Sequence, residues 1–176
     1  GLINIIQSAI VDKKQISIAY ANANTINLTY QDRKLTDALN SFDIIHPDGI
    51  GIYFASRFLH NTSGLTDRFT GSDFYPKLSN SASKNKWKLF FFGHDDETLS
   101  KIKILNPGMI ISGLQNGYNF EDSEIINQIN STGSDVLIIG LGTPLQENWV
   151  STNKDKLSCK VMICVGDGIK VFSGDK

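Results

Sequence analysis

Residues Phe42–Gly51 read FDIIHPDGIG. Phe42, Ile44 and Ile45 form a short apolar run of the kind that fills a buried parallel strand. Pro47 biases His46 towards extended backbone, so the strand is expected to stop there. Asp48 then stands at the strand's C-terminal tip. Gly49 and Gly51 allow a tight turn and leave backbone N–H groups open to a ligand. Ile50, Phe54 and Phe58 recur every four residues, which predicts the buried stripe of a following helix. A carboxylate at a strand tip, beside a glycine turn and a helix start, is where open α/β sheets hold their ligands. Carboxylates also cap helices, and this stretch alone leaves both roles open for Asp48.

The rest of the chain repeats the pattern. Leu2, Ile5, Ile6, Ala9 and Ile10 have helical spacing. Strands are expected at Gln15–Tyr20, Trp87–Phe92, Met109–Leu114, Val136–Leu141 and Lys160–Val165. Between them fall a helix or irregular segment around Ile26–Leu39 and helical segments around Ile50–Leu59, Gly71–Ser83, Asp95–Leu105, Ile125–Ile129 and Leu145–Asn153, with a polar loop over Asn61–Thr70. Ser79–Ser83 reads as a frayed helix end. Strands alternating with helices predict an α/β, Rossmann-like fold: a mainly parallel six-stranded sheet with helices on both faces, in one domain over residues 1–176.

Composition narrows the function. Of 176 residues, 40% are hydrophobic and 20% charged, as in ordinary globular proteins. A net charge of −1 gives no electrostatic footprint for nucleic acid. No apolar segment is long enough to span a bilayer. The lysines are scattered, and no stretch reads as a basic or amphipathic patch for a lipid surface. Cys159 and Cys164 match no zinc or redox spacing and read as buried free thiols in a reducing cytosol.

The chemistry-bearing residues fall just after the strands. Asn22 and Asn24 follow the first and Asp48 the second. Gly93, His94 and Asp95 follow the third, and Asn116, Gly117 and Tyr118 the fourth. Gly140, Gly142, Thr143 and Gln146 follow the fifth, and Asp167 the last. In a parallel sheet such tips share the ligand edge. The glycine turns at Gly49–Gly51, Gly93 and Gly140–Gly142 suggest N–H groups and helix N-termini facing an anion. None has the dinucleotide spacing G-x-G-x-x-G. Thr143–Gln146 also fits a capping box with Pro144 at the first helical position. His94–Glu97 reads as first-turn acids complementing a helix dipole, ahead of a metal site. Arg68, in RFTGSD, is either a solvated charge or a phosphate clamp.

The ordered motifs PDGIG, RFTGSD, KLFFFG, NGY and GLGTPLQENW resemble those of the WecG/TagA/CpsF glycosyltransferases, from about Gln15 to Gly174. These are N-acetylmannosaminyltransferases and relatives acting in teichoic acid, enterobacterial common antigen and capsule synthesis. The resemblance implies inverting transfer from a UDP-sugar, typically UDP-N-acetylmannosamine, with no cofactor and no tightly bound metal. The acceptor it implies is a polyprenyl-diphosphate-linked sugar, met by a peripheral protein at the inner face of the bacterial membrane. It casts Asp48 as catalytic base. Substrate contacts fall to Tyr20, Asn22, Arg68, Gly71, Asp73, Gln146 and Glu147. Nucleotide contacts fall to Gly49, Gly51, Gly93, His94, Gly117, Tyr118, Gly140, Gly142 and Pro144. Tyr20 stands where the family usually has threonine, and His94 where it has a second glycine. The family continues into a basic C-terminal segment that helps meet the membrane, and the expectation is that this chain lacks it. The oligomeric state, a homo-oligomer included, stays open. The alternative reading is a nucleotide-binding α/β domain without transferase activity.

Overall fold

In the computed structural model, residues 1–60 and 63–176 are described. The chain runs α1 (Leu2–Val11), β1 (Ile16–Ala21), α2 (Ala23–Thr29), α3 (Arg33–Asn40), β2 (Ile44–Pro47), α4 (Ile50–His60), α5 (Gly71–Asn85), β3 (Lys88–Gly93) and α6 (Asp96–Leu105). It continues through β4 (Ile110–Gln115), α7 (Asp122–Thr132), β5 (Val136–Gly140), α8 (Leu145–Asn153), β6 (Val161–Cys164) and α9 (Ile169–Phe172). Asn61 and Thr62, at the start of the expected loop, lie outside the described residues.

The six strands form one sheet in the order β2-β1-β6-β5-β3-β4, and every neighbouring pair is parallel. The α/β, Rossmann-like reading therefore holds. Alternate side chains along each strand feed two cores. Leu89 and Phe91 pack with Ile6, Phe74, Leu78, Ile102 and Phe172, from α1, α5, α6 and α9. Phe90 and Phe92 pack on the other face with Leu35, Ile125, Ile129 and Trp149, from α3, α7 and α8. Each such fully buried side chain contributes about 1.5–3 kcal/mol, so the sheet's centre is the stable part of the molecule.

Side-chain caps set several boundaries that periodicity left blurred. The expected Ile26–Leu39 segment is two helices, because the Asp32 carboxylate accepts from Leu35 N–H and starts α3 afresh. Strand β2 begins at Ile44 rather than Phe42. The Asp43 carboxylate takes the bonds of Ser17 N–H and Oγ, each at 2.8 Å, and Phe42 sits in the second core. Helix α5 runs on through Ser79–Ser83 to Asn85, ended by Lys86 in the left-handed conformation (φ 58°), so no frayed end is seen there.

The largest departure concerns α4. Its four-residue apolar stripe exists, but it does not face a core. Ile50 is 48% exposed, Phe54 63%, Phe58 89% and Leu59 72%, and no residue of the helix is buried. The reason is topological: β2 is the sheet's edge, and among the described residues no further strand lies beyond it for the helix to cover. Gly51 is likewise not part of an open turn. It lies within α4, where a Cβ would stand 3.5 Å from the Ala23 Cβ. No helix among the described residues is long and apolar enough to cross a membrane.

Candidate functional site

Four neighbouring strands, β2, β1, β6 and β5, send their C-terminal ends to one cavity of about 540 Å³, within the range of small-molecule sites. Its lining includes Tyr20 near the end of β1 and Asn22 just after it, Asp48 and Gly49 after β2, Gly142 and Thr143 after β5, and Val165–Gly168 after β6. Thr70, Gly71 and Tyr75 from the start of α5 close one side.

Asp48 is held by its surroundings. Its N–H donates to the Ala21 carbonyl at 2.9 Å, continuing the β1–β2 ladder by one residue. Its Oδ1 accepts from Gly71 N–H at 3.1 Å. The carboxylate thus caps the N-terminus of α5, not of the helix that follows it in sequence. The described residues give Oδ2 no hydrogen-bond donor, so that oxygen is free to accept one from a ligand. Gly49 holds φ +87° and donates to the Phe69 carbonyl at 2.9 Å. A Cβ at Gly49 or Gly142 would meet nothing within 4 Å. These two glycines are required by backbone conformation and leave open space in front of them.

Beneath Asp48 sits an aromatic layer. Tyr20 packs against His46, Phe74 and Tyr75, and His46 against Phe69 at 4.0 Å between ring centroids. Tyr20 is buried, lines the cavity, and its hydroxyl has no hydrogen-bond partner among the described residues. Burial pushes both phenols, Tyr20 and Tyr75, well above the usual range; Tyr75 and then Asp48 add to this at Tyr20, and Asp48 and then Cys164 at Tyr75. Tyr75 fits against Gly71 and Gly168, where a Cβ would come within 2.6 and 2.4 Å of its ring or hydroxyl.

Asn22 is the N-cap of α2: its Oδ1 accepts from Thr25 N–H at 3.0 Å and from Thr25 Oγ1 at 3.2 Å. Its amide nitrogen remains as the group a ligand could use. Gln146 is buried, donates to Glu147 Oε1 at 2.8 Å and accepts from Gly166 N–H at 2.9 Å. It clasps the β6 tip and does not complete the expected capping box. The N-cap of α8 is Pro144, with no side-chain cap, and Thr143 Oγ1 donates to Glu147 Oε1 at 3.0 Å. Glu147 is fully buried behind the cavity, and its Oε2 has no partner. At the opposite rim Asp167 pairs with Lys176 and, at 3.0 Å, with Lys170, which hold its carboxyl below the usual range.

Several other expected site residues stand elsewhere. Asp73 is spent on α5's start, paired with Thr70 Oγ1, and it does not line the cavity. Arg68 is exposed on the loop before Phe69, outside the lining, and makes no ion pair among the described residues. Gly93 ends β3, His94 follows it, and Gly117 and Tyr118 follow β4, all at the far end of the sheet from β2. There the glycines serve backbone packing: a Cβ at Gly93 would lie 2.4 Å from the Gly140 carbonyl carbon, and one at Gly117 2.7 Å from the Gly93 Cα. Gly140 is itself packed under Gly166 and Ile169. Asp95 caps α6, accepting from Thr98 N–H at 2.8 Å. Thr70, Ser72, Tyr75, Gly166, Gly168 and Lys176 line the cavity without having been singled out. Thr70–Asp73 carries the spacing of a capping box, a local signal that a helix start lies there. That this start meets Asp48 is a tertiary fact.

The model of the glycosyl transferase WecG/TagA/CpsF family matches residues 1–176. Curated relatives named N-acetylglucosaminyldiphosphoundecaprenol N-acetyl-beta-D-mannosaminyltransferase include one from Bacillus subtilis (strain 168), 29% identical over 99% of this chain. Another, from Bacillus spizizenii, is 30% identical over 82% of the chain, and one from Staphylococcus aureus (strain MRSA252) is 26% identical over 90%. The chain spans 70, 57 and 63% of those three relatives' own lengths. With the family model matched from first residue to last, over a parallel α/β sheet four of whose strand tips converge on one cavity, the chain belongs to the glycosyl transferase WecG/TagA/CpsF family.

Proposed function

We propose that this chain transfers N-acetylmannosamine or a related hexose, with inversion, from a UDP-sugar to a polyprenyl-diphosphate-linked N-acetylglucosamine. The relatives' names supply the acceptor class and the transferred sugar. The observation that carries the mechanism is Asp48, its Oδ1 held at the N-terminus of α5 and its Oδ2 without a donor, in the 540 Å³ cavity. Asp48 takes the proton of the acceptor hydroxyl as that oxygen bonds to the donor's anomeric carbon. The bond from that carbon to the UDP oxygen breaks, and UDP leaves with the electron pair. The open space in front of Gly49 and Gly142 admits the diphosphate, and Lys176 at the rim favours the charge growing on it. Arg68 is free on the adjoining loop to join Lys176 once a diphosphate is present. The protein works as a peripheral enzyme on the inner face of the cell membrane, in the synthesis of a cell-surface polymer such as teichoic acid.

The test is Asp48→Asn. It is expected to keep the UDP-induced thermal shift within a few fold of wild type in affinity and to cut transfer by about 10²–10⁴. Wild-type transfer rates in that variant would remove Asp48 from the reaction.

A further inference from the structure

We propose that α4 is a membrane-docking helix that lies in the headgroup region of an anionic bilayer beside the cavity mouth. The proposal rests on the reading above in one respect, that the acceptor is lipid-linked. The observations are otherwise the helix's own. Ile50, Phe54 and Phe58 lie on one stripe and, with Leu59, are 48–89% exposed, while the helix buries nothing. A soluble protein does not ordinarily leave two phenylalanines, an isoleucine and a leucine of one helix in water. The neighbouring helix continues the theme. α2 meets α4 at Ala23 and Gly51, and it leaves Ile26 40% exposed, with its C-cap Tyr30 86% exposed.

Charge and position select the occupant. α4 (IGIYFASRFLH) holds no acidic residue and carries Arg57 and His60 in its last turn. A second copy would bring like charge onto like charge, whereas an anionic lipid surface complements it. Aromatic and aliphatic residues on an exposed stripe with basic residues beside them are the composition of an interfacial helix. Position agrees, since the helix starts immediately after the Asp48–Gly49 turn that lines the cavity. A bilayer receiving Phe54 and Phe58 therefore holds a lipid-borne acceptor near the carboxylate. The proposal departs from the expectation, read from the sequence, that no stretch forms a basic or amphipathic patch for a lipid surface.

The experiment is co-sedimentation of the 176-residue chain with acceptor-free vesicles of equal phosphatidylglycerol and phosphatidylethanolamine, with phosphatidylcholine vesicles for comparison. The wild-type chain is expected to bind the anionic vesicles. Phe54→Ser and Phe58→Ser should each weaken partition about tenfold, with melting temperature and the UDP shift unchanged, because both side chains are already in water. Arg57→Gln should weaken binding about fivefold on anionic vesicles and have no effect on phosphatidylcholine. Wild-type partition by the double phenylalanine variant overturns the proposal. So does a dimer in sedimentation velocity, without lipid, that the same variant dissolves. Vesicle binding lost with these substitutions, in a chain that shows no UDP shift and no transfer, supports the docking helix and sinks only the catalytic reading.

Discussion

At Tyr20 the cavity wall carries a phenol that the protein itself leaves without a partner. A buried hydroxyl without a partner costs stability, and it can recover that cost only from a ligand. Tyr20→Phe is therefore expected to leave the empty protein as stable as wild type or slightly more so. It should weaken UDP-sugar binding about fivefold, the equivalent of a net hydrogen bond of about 1 kcal/mol. Thermal melts with and without the sugar nucleotide measure both effects. An unchanged affinity would mean that the hydroxyl faces nothing in the complex. Asp48 differs from Tyr20 because one of its oxygens is already engaged at Gly71, which fixes the direction of the other. A base must be positioned before its proton affinity matters.

Among the elements, the junction between α8 and β6 carries the cavity floor. Gln146 bridges the two: its Oε1 receives Gly166 N–H and its Nε2 reaches the buried Glu147. Gln146→Leu would leave the Gly166 N–H without its acceptor, at a cost of about 1–3 kcal/mol, while Glu147 Oε1 keeps the bond from Thr143 Oγ1. The expected result is a melting temperature lower by roughly 2–12 °C, at about 2–4 °C per kcal/mol for a domain of this size. Nucleotide affinity should fall as well, because Gly166 loses its anchor. Calorimetry reads the first and titration the second. If stability were unchanged while affinity fell, Gln146 would be a ligand contact and not a clasp.

Over the whole molecule, titratable groups bound the pH range of stability from both sides. Asp95, Asp167 and Asp175 are held below the usual carboxylate range: Asp95 first by its bond from Thr98 N–H, Asp167 by Lys176 and Lys170, and Asp175 by Ser173 and Lys101. A lowered folded pKa gives stability that is present above the unfolded value, about 4, and is lost as pH falls through the folded one. Burial acts in the opposite sense on the two thiols and two phenols. It pushes Cys159 up to about 12 and raises Cys164, Tyr20 and Tyr75. Their stabilisation is complete below the unfolded values, about 8.5 for thiols and 10 for phenols, and is lost as pH rises through the folded ones. The melting temperature is thus expected to be flat from about pH 5 to pH 8 and to fall outside that window. Tyr20→Phe should soften the fall above about pH 10, since phenylalanine cannot ionise in the unfolded chain. A melting temperature that already declines between pH 6 and pH 8 would be incompatible with this account.

What sequence alone determined here is what depends on neighbours along the chain. Apolar runs such as Leu89–Phe92 and Val136–Ile139 declare buried strands, helical spacing declares the segments between them, and their alternation leads to a parallel sheet. Strand-tip position marked Asp48 and Gln146 as candidates, the PDGIG and GLGTPLQENW motifs carried the resemblance, and both residues line the cavity. Tertiary structure decided which tips meet. Crossover connections do not encode strand order, so Gly93, His94, Gly117 and Tyr118 read like Asp48 in sequence yet end at the far side of the sheet. Likewise the Ile50–Phe54–Phe58 period shows that α4 has an apolar stripe, but not what that stripe faces. Periodicity reports the side chains of one helix, whereas burial depends on whether another element stands opposite. β2 lies at the sheet's edge, so none stands there, and the stripe the sequence assigned to the core faces outward.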